Sequence, residues 1–419
     1  MVVNGRDRIN VKILVLAGGF DQIALIKELQ FRGHEVILVD YLENPPAKEY
    51  VKRHFQVSTL DEEAVYCLAL QEKVDLVTTA CTAQALLTAA RVSEKLNVPF
   101  YLSSSIAQNI TNKVYMKNKF REYDIPTTDW VLIEENKIAL KTINDRLKYP
   151  FLVKPSDANS SKGVVKVNNE KELEEAVNSA FLISRSKKVV AENFMEGQEI
   201  SIDVWKDNEG AKILLISATN KIKTNVGKFT IYQSQYPVTI SDILKRKIQT
   251  IAEKICEAFD LENTPLLIQA IINEDEINVI ECSARMGGGS KYKFVENITG
   301  IDIMKLYVNR VLGDTVQCVT PAYSNKFAEM NYVYANNGVF KKLIGFEENM
   351  VSGNISELFL YKMPGSQISQ KITSSDRILG FLIEADSPDE LKEKRQRILE
   401  QVDILDSDGN SIMYKECFY

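Results

Sequence analysis

The first hundred residues alternate between short apolar runs and longer amphipathic stretches, and few folds accommodate this alternation. The runs 12–17 (KILVLA) and 35–40 (EVILVD) are hydrophobic almost without interruption, which is typical of parallel strands buried on both faces. The other elements of the pattern are predicted helices at 21–31, 62–72 and 83–96 and predicted strands at 74–79 and 98–102. Strands that alternate with helices of this length predict a doubly wound parallel sheet with helices on both faces.

The pattern changes after Pro126, where predicted strands follow one another directly. The antiparallel pairs are 151–154 with 164–167, 199–205 with 211–218, and 266–272 with 276–282. A third part starts near residue 311, with predicted strands at 331–334, 357–361 and 378–385 and a predicted helix at 388–402. A chain of 419 residues is long enough for two to four domains. The sequence therefore predicts an α/β region followed by α+β regions, with boundaries near residues 112 and 312.

Composition excludes several classes of protein. With 51 Lys and Arg against 57 Asp and Glu, the net charge of −6 does not suit a non-specific nucleic-acid binder. The six cysteines form no CxxC pair and there are only two histidines, which favours free thiols in a reducing compartment over a zinc site. Apolar runs are too short for a signal peptide or a membrane span. We expect a cytoplasmic protein that binds neither nucleic acid nor a membrane.

A glycine pair follows the first predicted strand and raises the question of a dinucleotide site. Gly18-Gly19 precedes Phe20, and Asp40 ends the second predicted strand. The spacing lacks the second and third glycines of G-x-G-x-x-G, so close approach to a pyrophosphate is not encoded. A tight turn in the sheet explains the pair better. A Rossmann-type oxidoreductase remains the alternative that rests on residues 11–40.

Two lysines and a loop of small residues indicate a site for phosphate groups. Lys113 opens a predicted helix, and Lys154 ends the apolar strand FLVKP. A buried lysine needs a partner or a ligand, because burying an unpaired charge is costly. The loop SDANSSKG that follows contains Ser160, Ser161 and Gly163, and its amides and hydroxyls suit phosphate oxygens. A solvated hairpin turn is the alternative for this loop considered alone.

The sequence AENFMEGQE connects two further apolar strands and is suited to an adenine ring. Such a ring needs flat apolar contact, which Phe194 and Met195 offer, and hydrogen bonds at its edge. The backbone from Asn193 to Met195 is expected to supply those bonds, and Glu199 is placed for a ribose hydroxyl. A surface hairpin with solvated charges is the alternative.

The hairpin over 266–285 combines oxygen ligands with a guanidinium. Gln269 and Glu281 each lie six residues from Asp275, so they face each other across an antiparallel pair, with Cβ atoms about 4.5–5.5 Å apart. The period of two puts Ser283 and Arg285 on the same face as Glu281. These oxygens suit Mg²⁺ that is also held by substrate phosphates. A structural ion pair between Glu281 and Arg285 is the alternative.

In this order, the motifs resemble the ATP-grasp superfamily of carboxylate–amine ligases, over nearly the whole chain. The matching positions are Lys113, Lys154, the loop 156–163, the segment from Glu192 to Glu199, and Gln269 with Glu281-Cys282-Ser283-Ala284-Arg285. The chain looks similar to the L-amino-acid-ligase-like, biotin-carboxylase-like and carbamoyl-phosphate-synthase-like members. The resemblance implies the ATP-grasp fold, of mixed α/β and α+β class. It consists of a pre-ATP-grasp domain with a doubly wound parallel sheet at 1–112, an ATP-grasp domain at 113–311 and a C-terminal α+β domain at 312–419.

The resemblance also implies a reaction: ATP activates a small acid, such as an amino acid or a sugar acid, as an acyl phosphate. An amine then displaces phosphate, and ADP is released. The residues implied in ATP binding are Lys113, Lys154, Ser160, Ser161, Gly163, Glu192, Asn193, Phe194, Met195 and Glu199. The residues implied as ligands of Mg²⁺ (or Mn²⁺) are Gln269, Glu281 and Ser283. Arg285 and Lys221 are implied in catalysis, with Lys221 near the γ-phosphate, and relatives are often homodimers.

Three departures from the family pattern bear on this reading. Ser283 stands where asparagine is usual, and Gln269 stands where an acid is commoner, although carbamoyl-phosphate-synthase-like members also have glutamine there. Gly163 is the single glycine of a loop that is glycine-rich in relatives. A catalytically degenerate ATP-binding protein is therefore the second alternative.

Overall fold

The computed structural model describes residues 10–134, 143, 145–158, 162–224, 229–369 and 372–418. Ser160 and Ser161 lie outside the described residues. The first part of the chain forms a four-stranded parallel sheet in the order β3-β2-β1-β4. Its strands are β1 Lys12–Leu16, β2 Glu35–Asp40, β3 Arg53–Gln56 and β4 Leu76–Thr78. The helices of this part are α1 Phe20–Phe31, α2 Glu62–Glu72, α3 Ala83–Leu96, α4 Ser104–Thr111 and α5 Lys113–Glu122.

Helices cover both faces of this sheet, as the alternation predicts. Successive side chains of a strand point to opposite faces. Ile13 and Val15 of β1 pack in one core cluster with the apolar side chains of α1, such as Leu25. Leu14 and Leu16 pack in another cluster with the apolar residues of α2 and α3. The uninterrupted hydrophobicity of β1 thus reflects burial from two sides.

The predicted strand at 98–102 is wrong, because these residues form a connection between α3 and α4. Tyr101 and Leu102 are nevertheless buried. The hydroxyl of Tyr101 donates to the carbonyl of Ala284 at 2.9 Å. The apolar residues of this run are therefore buried by contact with a distant part of the chain and not by pairing in the sheet.

The middle of the chain contains a four-stranded antiparallel sheet in the order β5-β8-β6-β7. Its strands are β5 Trp130–Glu134, β6 Phe151–Pro155, β7 Val165–Val167 and β8 Lys188–Asn193, with helix α6 Glu170–Ile183 between β7 and β8. The core of this part is formed by one face of the sheet and the apolar side of α6. The opposite face, with Leu152 and Lys154, is turned toward the next sheet.

An eight-stranded antiparallel sheet follows, in the order β13-β12-β9-β10-β11-β14-β19-β17. Its strands are β9 Gln198–Asp207, β10 Gly210–Lys221, β11 Ile231–Tyr236, β12 Thr264–Asn273, β13 Glu276–Ser283, β14 Phe327–Val333, β17 Glu357–Leu360 and β19 Leu379–Ala385. Two small strand pairs are β15 Gly338–Val339 with β18 Gln367–Ile368, and β16 Lys342–Ile344 with β20 Asp403–Leu405. The helices are α7 Asp242–Ala258, α8 Lys291–Thr299, α9 Ile303–Val311, α10 Phe346–Val351 and α11 Pro388–Gln401. Because β11 pairs with β14, the strands after residue 312 extend this sheet.

All six cysteines are free thiols, and five of them are buried. This agrees with the expectation from their spacing. Within the described part of the chain, no helix combines the length and the apolar character needed to cross a membrane.

Candidate active site

A cavity of about 840 Å³ lies between the two antiparallel sheets, within the range that small-molecule sites occupy. The predicted site residues that line it are Lys113, Lys154, Glu192, Asn193, Phe194, Met195, Glu199, Lys221, Gln269, Glu281 and Arg285. Ser283 lines a small adjoining cavity that shares Gln269 and Glu281 with the large one. One cavity system thus brings together groups that are separated by more than 170 positions in the sequence.

Gly163 is not among the residues that line the cavity, although Lys162 and Val164 are. Its φ is +73°, and a Cβ atom at this position would lie 2.9 Å from Cγ of Pro155. Glycine is therefore required here by the path of the loop, independently of any ligand.

The buried carboxylate of Glu192 lies between two lysines. Nζ of Lys154 is 2.5 Å from Oε1 of Glu192, and Nζ of Lys117 is 2.9 Å from Oε2. Burial raises the pKa of Glu192, but the two ammonium groups outweigh this effect and lower it to about 2. Glu192 is therefore ionised at neutral pH and fixes the Lys154 side chain at the cavity wall. Lys154 thus has the partner that its place in an apolar strand requires.

Lys117 was missed by the sequence interpretation. Its side chain is almost completely buried and also donates to the hydroxyl of Thr127 at 2.6 Å. The available signal was helical spacing, because Lys117 follows Lys113 by four residues and so lies on the same face of α5. A second lysine on the buried face of an amphipathic helix indicates a buried carboxylate nearby.

The expected adenine contacts need a correction. The amide of Asn193 donates to the carbonyl of Asp129 at 3.0 Å, and the amide of Phe194 donates to that of Pro150 at 3.3 Å. These two amides are therefore not available to the edge of a base, which leaves the amide of Met195 and the carbonyl groups. Flat apolar contact is present, because the side chains lining this end of the cavity include Leu152, Val164, Phe194, Met195, Ile271 and Val279.

Glu199 and Lys221 were assigned to opposite ends of the nucleotide, the ribose and the γ-phosphate. The structure brings them together instead, with Nζ of Lys221 2.5 Å from Oε2 of Glu199. The side-chain amide of Gln269 donates to Glu199 at 3.5 Å. Lys221 is thus held by a carboxylate on the neighbouring strand. Its assignment to the γ-phosphate is therefore weaker than the assignment of Glu199 to the ribose.

The register of β12 with β13 places Gln269 directly opposite Glu281, as expected, but not through symmetry about Asp275. Asn273 pairs with Glu276, so an unbroken ladder would place Ile280 opposite Gln269. A bulge between Gln269 and Ala270 interrupts the ladder at this point. Nζ of Lys113 lies 3.5 Å from Oε2 of Glu281 and donates to the carbonyl of Ala158 at 2.6 Å. Burial raises the pKa of Glu281, but Lys113 and other nearby cations lower it below its usual value. The hairpin therefore presents an ionised carboxylate beside an amide.

These groups fit a divalent cation that prefers oxygen ligands. The donation from Nε2 of Gln269 leaves its Oε1 as a ligand, and Oγ of Ser283 is buried without a hydrogen-bond partner among the described residues. Nowhere in the described ranges do three or more His, Cys, Asp or Glu side chains form a group that could hold a metal. One carboxylate with neutral oxygens suits a cation that shares its coordination with phosphate oxygens.

Arg285 lies beyond the hairpin and lines both cavities. Its Nη1 donates to the carbonyl of Met286 at 2.7 Å, and its Nε is buried without a partner among the described residues. Among the residues that the structure describes, Glu281 pairs with Lys113 and no ion pair joins it to Arg285. The alternative of a structural ion pair within the hairpin is therefore not what the structure contains.

The glycine-rich loop that follows Arg285 has some of its amides engaged within the protein. The amides of Gly289 and Ser290 donate to the carboxylate of Asp21 at 2.9 and 2.8 Å. The hydroxyl of Tyr332 donates to the carbonyl of Gly289 at 2.9 Å. Asp21, on α1, thus ties the loop to the N-terminal sheet, and the loop presents Gly287 and Gly288 to the cavity.

The glycine pair after β1 has a structural role. The amide of Gly18 donates to Oδ2 of Asp40 at 2.6 Å, and a Cβ atom on Gly18 would lie 2.6 Å from Cβ of Pro45. Asp40 is thus engaged by the turn, and Pro45 fills the space in front of Gly18. This geometry supports the tight turn and not a dinucleotide site.

Comparison with known proteins finds a family model that matches the middle of the chain. Residues 120–306 match the family model described as D-ala D-ala ligase C-terminus. The chain is 29% identical over 215 residues to the D-alanine--D-alanine ligase of Thermosipho africanus, which covers 48% of this chain and 57% of that protein. The chain thus spans about three fifths of the length of these curated relatives.

Solved structures are similar over nearly the whole chain. The L-amino acid ligase from Bacillus licheniformis has a TM-score of 0.77 at 21% identity and covers 95% of this chain and 99% of its own. The biotin carboxylase domain of Hydrogenobacter thermophilus 2-oxoglutarate carboxylase, solved as a dimer with MgADP and bicarbonate, also has a TM-score of 0.77, at 17% identity. It covers 96% of this chain and 91% of its own. At these identities, the likeness establishes the fold.

Proposed function

Because this chain belongs to the ATP-grasp superfamily, we propose that it is an ATP-dependent ligase that joins a small carboxylic acid to an amine. The acid is activated as an acyl phosphate, and ADP and phosphate are released. The observation that carries the proposal is the opposition of Gln269 and Glu281 in the same cavity as Lys113 and Lys154.

In this proposal, each residue of the cavity has a positional or electrostatic task. Lys154, fixed by Glu192, and Lys113, beside Glu281, hold the nucleotide phosphates, because phosphoryl transfer depends mainly on positioning and charge neutralisation. The apolar end with Phe194 and Met195 holds the base. Arg285 lies beyond the hairpin, where it faces negative charge that develops on the acid.

Gln269, Glu281 and Ser283 would hold Mg²⁺ or Mn²⁺ at this position. When bound, the cation supplies Lewis-acid stabilisation of the phosphate oxygens.

Replacing Arg285 by alanine is expected to lower kcat by about 10²–10³-fold, because a charged donor aimed at the developing oxyanion is removed. The dissociation constant of ATP should change little, since the phosphates are held by lysines on other elements. Steady-state ADP release and calorimetric ATP binding measure the two effects. Arg246→Ala, in the exposed part of α7, is the matched control. Loss of ATP affinity in Arg285→Ala would assign this residue to the nucleotide instead.

The proposed function is tested by screening amino acids, pairwise and together with other small acids, for substrate-dependent ADP release with Mg²⁺. We expect at least one pair to accelerate release and to yield an amide in equal amount. Formation of AMP and pyrophosphate would contradict the acyl-phosphate route. ATP binding without hydrolysis under every pair would favour the degenerate ATP-binding alternative.

A further inference from the structure

The end of the cavity beyond Arg285 contains two cations that the nucleotide site does not use. Lys291 and Arg377 both line this end, together with Tyr332. The cations that act most strongly on Glu281 are Lys113, Lys154, Arg285 and Lys221. Arg285 also acts on Asp203, which in turn faces Lys291. Arg285 therefore stands between the metal hairpin and a separate cationic region.

Arg377 is held in place without a carboxylate. Its guanidinium lies 3.9 Å from the centre of the Tyr332 ring, and its Nε donates to the hydroxyl of Tyr334 at 3.3 Å. Arg377 forms no ion pair with any carboxylate in the ranges that the structure describes. Stacking and one hydrogen bond fix the plane of the group and leave the fork of Nη1 and Nη2, which matches a carboxylate or phosphate in geometry.

Lys291 is buried beside Asp203 but forms no ion pair within the described residues. It is buried at the first position of α8, the helix end at which the macrodipole disfavours positive charge. Its Nζ donates to the neutral hydroxyl of Ser217 at 2.5 Å, and the described residues give it no ion pair. A cation at this end of a helix is consistent with an anion that both of them attract.

Two carboxylates near these cations do not cancel the positive charge. Asp21 accepts hydrogen bonds from the loop amides, and Oδ2 of Asp203 has no partner among the described residues. Burial raises the pKa of both carboxyl groups above the usual value. The three cations Arg285, Lys291 and Arg377 line the cavity and outnumber these two carboxylates, so the charges of the described residues leave this end positive.

We propose that Arg377 and Lys291 form a binding subsite for an anionic group, a carboxylate or a phosphate, that is separate from the nucleotide phosphates and the metal. This group belongs to one of the two substrates and is not the carboxylate that is activated, which must lie at the γ-phosphate. The assignment of the anion to a substrate rests on the proposed ligase function, whereas the anion site itself does not. Either the acid then carries a second negative group, or the amine carries a negative group of its own.

Calorimetry on the full chain tests the subsite. Acetate, succinate and inorganic phosphate are titrated into protein saturated with Mg²⁺ and a non-hydrolysable ATP analogue, which fills the phosphate positions. We expect one or more of these anions to bind, and Arg377→Met to weaken binding by at least about tenfold, because a charge-assisted pair of hydrogen bonds is lost. Preference for succinate would indicate a substrate carboxylate, and preference for phosphate a phosphorylated substrate.

Lys291→Met is the second variant and should weaken the same anion without changing affinity for the ATP analogue. Arg397→Met, an exposed position on α11, is the matched control and should bind like the wild type. Absence of anion binding by the wild type, or equal binding by Arg377→Met, would overturn the proposal. Loss of analogue binding in Arg377→Met would do so as well, by assigning Arg377 to the nucleotide. Binding that depends on Arg377 in a protein without ligase activity would refute only the proposed function.

Discussion

Replacing Glu281 by alanine is expected to lower substrate-dependent ADP release by at least about 10³-fold, because Glu281 is the single carboxylate among the proposed metal ligands and the cation contributes several kcal/mol of charge stabilisation. The fold should persist, since Lys113 keeps its hydrogen bond to the carbonyl of Ala158. Steady-state kinetics over a range of Mg²⁺ concentrations measures the loss. Excess cation should not restore the rate.

Glu276→Ala provides the matched control, because Glu276 lies on the same strand but is exposed and pairs with Lys247. It should retain wild-type kinetics. Glu281→Gln preserves the size of the side chain. It therefore separates the effect of the lost charge from the effect of the space that alanine leaves. Near-normal ADP release by both Glu281 variants would show that the metal assignment is wrong.

Replacing Glu192 by glutamine is expected to lower the free energy of unfolding by about 3–5 kcal/mol, because Lys117 and Lys154 are then buried without a counter-charge. The carboxylate is buried against both ammonium groups, so solvent screens this interaction little. Denaturant unfolding at neutral pH measures the change. Glu196→Gln, an exposed position three residues before Glu199, is the control and should alter stability by a few tenths of a kcal/mol at most.

Because Glu192 is paired with Lys117 and Lys154, we expect the stability of the protein to depend on pH. The pKa of Glu192 is about 2 in the folded state, below the usual 4.5, so its contribution is fully present above about pH 4.5. This contribution is lost as the pH falls from 4.5 toward 2. Glu192→Gln should therefore show less acid destabilisation than the wild type over this interval. An identical pH profile for the two proteins would mean that Glu192 is not held by the lysines.

The elements that sequence analysis predicted well are those whose signal is local. The hydrophobic runs of β1 and β2 are determined by neighbouring residues, so the parallel sheet could be predicted. The opposition of Gln269 and Glu281 was also predicted, but it depends on a bulge that the spacing did not indicate. The ordered motifs also indicated the ATP-grasp fold. Residues 98–102 show the limit, because an apolar run is buried equally well by a distant contact as by pairing in a sheet.

The parts of the site that were missed depend on contacts between distant segments. Nothing local in the sequence indicates that Asp21 binds the amides of Gly289 and Ser290, or that Arg377 stacks on Tyr332. Pairing of Lys221 with Glu199 depends on the side-by-side position of β9 and β10 and the direction of two long side chains. Sequence patterns identify which side chains are able to bind or react, whereas the fold determines which of them come into contact.

Oxygen-isotope transfer tests the central claim most directly. ATP is incubated with the protein, Mg²⁺ and the active acid labelled with oxygen-18 in its carboxylate, and the released phosphate is analysed by phosphorus NMR. The account predicts one labelled oxygen in each inorganic phosphate, because the acid attacks the γ-phosphate through that oxygen and the amine later expels it. Unlabelled phosphate, or label in AMP with release of pyrophosphate, would contradict it.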